Sequence, residues 1–84
     1  MKNNATFKKQ IIYRSTHRGS KEMDLLIGNF VKTNINFFND LELQELNKIV
    51  HMEDEILQKW YFTKNNENLV PVNKISKMLK KFKL

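Results

Sequence analysis

The stretch Ser20-Lys21-Glu22-Met23-Asp24-Leu25-Leu26-Ile27-Gly28-Asn29-Phe30-Val31-Lys32-Thr33 decides the fold class. Met23, Leu26, Ile27, Phe30 and Val31 fall at i, i+3, i+4, i+7 and i+8, the core-facing stripe of an amphipathic helix. Leu25 lies off that stripe, so the helix is expected to be buried on more than one side.

Upstream, Phe7, Ile11 and Ile12 make a shorter helix over about Ala5 to His17, with Gly19 as its terminator. Downstream, Asn34, Asn36 and Asn39 mark a turn with Phe37 and Phe38 tucked inside it. Asn39 or Asp40 suits the N-cap of a third helix, about Leu41 to Met52, with Leu43, Leu46, Ile49 and Val50 inward. The acids Glu53, Asp54 and Glu55 precede Ile56, Leu57, Trp60 and Tyr61, as expected at the positive end of a fourth helix over about Asp54 to Phe62. A polar loop, Thr63 to Asn68, leads to Pro71 and a last helix, about Asn73 to Phe82, striped by Ile75, Met78, Leu79 and Phe82. The reading is all-α: a compact single-domain bundle of about five short helices over residues 1–84, with 1–4 frayed and the core at 5–82.

Composition agrees. A chain of 84 residues supports one domain with a thin core. Two Gly and one Pro are too few for the turns of an all-β fold, and 40% hydrophobic residues are too many for disorder. With no Cys there is neither a disulfide nor a thiolate metal site. No run approaches the roughly 18–20 apolar residues of a membrane span, and Met1 to Gln10 lacks a signal-peptide h-region. A soluble, cytoplasmic, monomeric protein is expected.

The net charge of +6 is unevenly placed. Residues 1–21 carry six cations and no acid, residues 22–67 hold all nine acids, and residues 68–84 carry five lysines. Basic ends of this kind suit nucleic acid, an acidic protein surface or anionic lipid, and equally suit plain solvated helix faces. Thirteen Lys against two Arg, with eleven Asn, matches the codon bias of an AT-rich genome.

Catalytic chemistry finds little support. Gly19 and Gly28 are isolated, so no phosphate loop exists, and His17 and His51 alone make no metal site. Ser15, Ser20 and Ser76 read as caps or surface, and the chain is not expected to be an enzyme.

One constellation stands out, Tyr13-Arg14-Ser15-Thr16-His17-Arg18-Gly19-Ser20-Lys21-Glu22-Met23-Asp24, at the first helix–helix corner. On local chemistry it is a capped corner: Gly19 ends one helix, Arg18 and Glu22 complement the two dipoles, and Glu22 reaches back toward Gly19. It also reads as a polar key, with a cation and an anion flanking a Gly that lets a partner's backbone approach.

Arg18-Gly19-x-x-Glu22, followed by Met23-Asp24 and Leu25-Leu26-Ile27, resembles the RGxxE signature of the SdhE-type FAD assembly factors, also called succinate dehydrogenase assembly factor 2. Phe30, the acidic start Asp40-Leu41-Glu42 and Asp54-x-x-Leu57-x-x-Trp60 extend the likeness over about residues 5–80. Two departures are His17, where many relatives carry a second basic residue, and Glu53, where many carry Pro. No targeting extension is read ahead of the domain, so a bacterial member is expected, and the resemblance implies a non-catalytic factor. Such a factor binds the flavoprotein subunit of succinate dehydrogenase, or of fumarate reductase, and promotes its covalent attachment of FAD. FAD would belong to that client, with no cofactor held stably by this chain. Arg18, Gly19 and Glu22 carry over as the contact motif, with Asp24 and His17 as weaker members; Trp60 reads as core. The alternatives are a small basic nucleic-acid-binding domain and an antitoxin-like adaptor.

Overall fold

The helix read from residues 20–33 is present in the computed structural model as α2, Lys21–Asn34. The structure describes residues 4–64 and 66–83. The other helices are α1 (Asn4–Thr16), α3 (Asp40–Val50), α4 (Asp54–Phe62) and α5 (Lys74–Lys81), with 3-10 turns at Ile35–Phe37 and Glu67–Leu69. No strand occurs among the described residues. α1 packs on both α2 and α3, and α3 packs on α5. The radius of gyration, 12.2 Å, is close to the roughly 12 Å of one compact body of this length. Of the segment 1–4 expected to fray, residues 1–3 lie outside the described residues and Asn4 already opens α1.

Three helices, α2, α3 and α5, start where a side chain satisfies orphan amides. Ser20 caps α2 by accepting from Met23 N at 3.1 Å. Asn39 and Glu42 form a reciprocal capping box at α3, at 2.8 and 2.9 Å. Asn73 and Ser76 do the same at α5. Lys80 closes the other end of α4, donating from Nζ to the carbonyls of Trp60 and Tyr61. Its ammonium also lies 4.8 Å from the centre of the Trp60 ring.

Most of the predicted stripes form the core: Ile11, Met23, Leu26, Ile27, Phe30, Val31, Leu43, Leu46, Ile49, Leu57, Trp60, Ile75 and Leu79 are all buried, Ile35 and Val70 join them, and Phe7, Ile12, Met78 and Phe82 are only partly covered. Phe30 sits at its centre and meets Phe82 edge-on, ring centroids 5.4 Å apart. The Tyr61 hydroxyl donates to the Phe82 carbonyl, and burial pushes its pKa above the ordinary value. Gly28 lets α1 and α2 approach: a Cβ there would stand 3.1 Å from Thr16 Cγ2 and 3.4 Å from the Ser15 carbonyl.

Several local expectations are corrected. Leu25 is 52% exposed, so its face of α2 is open to solvent, although Gly28, off the stripe, is buried against α1. Phe38 is tucked in, but Phe37 is 81% exposed, because the turn at Ile35–Phe37 sends Ile35 inward instead. Ser15 is fully buried against α2 and donates to the Ile12 carbonyl at 2.7 Å, so it is neither cap nor surface. The loop expected over Thr63 to Asn68 contains the start of the 3-10 turn at Glu67–Leu69.

Glu42 joins α3 to α5 through Lys74 Nζ at 2.8 Å. The hydrogen bond from Lys74, then that from the Asn39 amide, holds the Glu42 carboxyl below its ordinary value of 4.5. A carboxyl depressed by folding stabilises the fold above its unfolded pKa, and that contribution is lost as pH falls through the folded value. Glu42→Gln is therefore expected to lower stability slightly near neutrality and to change little at acid pH, which flattens the acid limb of stability against pH. Urea midpoints from about pH 3 to 7 check it. Parallel curves for variant and wild type would contradict the assignment.

Candidate functional site

The corner between α1 and α2 meets the corner between α3 and α4, and two side chains join them. Arg18 leaves the end of α1 and turns inward, its side chain only 6% exposed. Its Nε donates to Asp54 Oδ1 at 2.6 Å. Its Nη1 donates to the Val50 carbonyl at 2.5 Å, and Nη2 donates to the Met52 carbonyl. Val50 is the last residue of α3, so the guanidinium satisfies carbonyls that helix termination leaves without partners. Five fixed N–H donors in a planar fork suit that task, where a lysine offers one point charge.

Asp54, the first residue of α4, is the reciprocal piece. Its Oδ2 accepts from Gly19 N at 2.7 Å and from Ser20 N at 3.1 Å, so it covers amides at the entrance to α2. Asp24 closes the loop from within α2, accepting from Arg18 N at 2.5 Å. Gln58, one turn along α4, donates to Ser20 Oγ at 3.5 Å. Asp54, Leu57 and Trp60 share the inward face of α4, so the Asp-x-x-Leu-x-x-Trp pattern is a corner lock followed by two core residues.

The five residues singled out from sequence therefore divide. Arg18 and Asp24 bond within the chain. Gly19, Glu22 and His17 are exposed. Glu22 does not cap Gly19; Ser20 caps α2 and Asp54 takes the Gly19 amide, leaving the Glu22 carboxylate with no partner among the described residues. A Cβ at Gly19 would lie 3.3 Å from Asp54 Oδ2, so the glycine makes room for the lock. His17 stacks on Tyr13, centroids 3.9 Å apart at 20°, and its Nδ1 donates to the Tyr13 carbonyl at 2.8 Å. Asp54 is the site residue that sequence reasoning missed. Its phase with Leu57 and Trp60 was the available signal, since an acid three residues before a core Leu points inward.

Comparison with known proteins decides the family. Residues 9–83 match the family model described as the flavinator of succinate dehydrogenase. The chain belongs to this family. The FAD assembly factor SdhE of Acetobacter pasteurianus is 37% identical over 60 residues, covering 71% of this chain and 55% of that protein. The mitochondrial succinate dehydrogenase assembly factor 2 of Arabidopsis thaliana is 35% identical over 51 residues, 61% of this chain and 27% of its own. That of Scheffersomyces stipitis is 33% identical over 76 residues, 83% of this chain and 50% of its own. The chain thus spans about half or less of these curated relatives. No solved structure gives a significant match. Among the described residues of this flavinator-family chain, no helix is long and apolar enough to cross a membrane.

Proposed function

We propose that this chain promotes covalent attachment of FAD to the flavoprotein subunit of succinate dehydrogenase, and of fumarate reductase where a cell makes one. It does so as a monomeric, non-catalytic factor that binds the subunit through the α1–α2 corner. The bond forms between the client's own histidine and the flavin, and the flavin supplies the chemistry. The factor contributes differential affinity for the client conformation in which that bond forms. Moving such an equilibrium from 1:99 to 99:1 takes about 5.5 kcal/mol, the worth of two or three strong interface contacts.

The observation that carries this reading is Glu22. In a family of flavinators, Arg18 and Asp24 of this motif are bonded inward, while the Glu22 carboxylate stands exposed near Gly19 and unpartnered among the described residues. A free anion next to a residue without a side chain suits a client's cationic or amide donors. FAD remains with the client on this reading: the Arg18 guanidinium is already engaged by Asp54, Val50 and Met52 and is not available to a pyrophosphate. The compartment the reading assigns is the cytoplasm, where a bacterial flavoprotein subunit is made.

Cells lacking their own factor test it. Expressing this chain is expected to restore covalent flavin on the flavoprotein subunit, seen as fluorescence of its band in a denaturing gel. A folded, well-expressed chain that restores none with the flavoprotein of its own organism would sink the proposal.

A further inference from the structure

Two surface hollows run together along α1. One surrounds the corner and is lined by Tyr13, Arg14, His17, Gly19 and Glu53. The other continues toward the start of α1, between α1 and α3, lined by Lys9, Gln10, Tyr13, Arg14, Asn47 and His51. Tyr13 and Arg14 line both, so the corner and the α1–α3 groove form one continuous surface.

The groove is chemically one-sided. No carboxylate lines its α1–α3 stretch, and α1 contains no acid. Three cations elsewhere are engaged within the chain: Arg18 on Asp54, Lys74 on Glu42, Lys80 on the end of α4. The side chains of Lys9 and Arg14 have no such partner among the described residues. Between them stands Tyr13, 61% exposed, its ring held against His17. An exposed aromatic already fixed in place loses little entropy on binding, and Tyr and Arg are the side chains on which interface energy concentrates.

We infer that the α1–α3 groove receives an acidic segment of the same flavoprotein client, with carboxylates on Arg14 and Lys9 and an apolar or aromatic side chain over Tyr13. This rests on the proposed function and adds the second half of its binding surface. A nucleic acid fits less well, because a phosphate backbone leaving the groove at the corner runs onto the exposed carboxylates of Glu53 and Glu22. A protein answers both ends, with acids along α1 and a cation at Glu22.

The test is the affinity of the full chain for the purified flavoprotein subunit, with Glu22→Lys as reference. Arg14→Glu and Tyr13→Ala are each expected to weaken binding at least tenfold, and Lys9→Glu about threefold, with unchanged helical circular dichroism. Wild-type affinity is expected to fall more steeply than that of Arg14→Glu between about 50 and 200 mM salt. If the groove variants bind as wild type while Glu22→Lys does not, the groove is empty in the complex; the inference is overturned and the proposed function stands. If wild type does not bind the subunit, both fall. If a DNA duplex of about 20 base pairs binds wild type and Arg14→Glu abolishes that while client binding is unchanged, the groove belongs to nucleic acid and the inference is overturned.

Discussion

Arg18→Ala is expected to destabilise the fold by about 3–5 kcal/mol, the range for removing one member of a buried ion pair. The substitution strands three acceptors at once: Asp54 Oδ1 and the carbonyls of Val50 and Met52. It also releases the constraint between the two helix corners. A domain of this length has a total stability of about 4–13 kcal/mol, so much of the margin is spent. Asp54→Ala should cost comparably, because it orphans the Arg18 charge and the Gly19 and Ser20 amides. The double variant should cost clearly less than the sum of the two, since each removes the same contact. Arg18→Lys is expected to fall between, because one ammonium does not serve a carboxylate and two carbonyls together. Urea denaturation measures all four. An Arg18→Ala protein with a wild-type midpoint and no activity would mean that Arg18 acts in the complex rather than in the fold.

Glu22→Lys has the opposite signature. The carboxylate sits in the first turn of α2, where it meets the positive end of the dipole, so reversal costs the fold only about 1–2 kcal/mol. Covalent flavinylation is expected to be lost, because a cation replaces the unpartnered anion at the proposed contact. Gly19→Arg should show both signatures in part. Its Cβ presses on Asp54 from 3.3 Å, and its guanidinium competes with Arg18 for that carboxylate and crowds the contact surface. Melting temperature and in-gel flavin fluorescence, measured on the same preparations, separate the two effects. Loss of helical structure in Glu22→Lys would mean that the residue serves the fold, and the contact assignment would be withdrawn.

Much of this fold is legible in local sequence because helices are local objects. The bounds of α4 follow from its acids and its Leu57–Trp60 stripe, and the Asn39–Glu42 box is a three-residue pattern. What escaped the sequence is what depends on distant partners. Arg18 reads as an outward cation until Asp54, 36 residues away, is brought to it. Whether Leu25 and Phe37 are covered depends on which neighbours reach them, which periodicity does not specify. Glu22 reads as reaching back to Gly19 because an acid three residues after a Gly imitates a capping box. The Ser20 hydroxyl caps Met23 N and Asp54 takes the Gly19 amide, which together leave Glu22 free.

The measurement that bears most directly on the account is covalent flavin formation with purified components: flavoprotein subunit, FAD, and either wild type or Glu22→Lys. The account predicts faster formation with wild type and the unassisted rate with Glu22→Lys, with both proteins equally folded. Equal acceleration by both, or none by wild type, would contradict it.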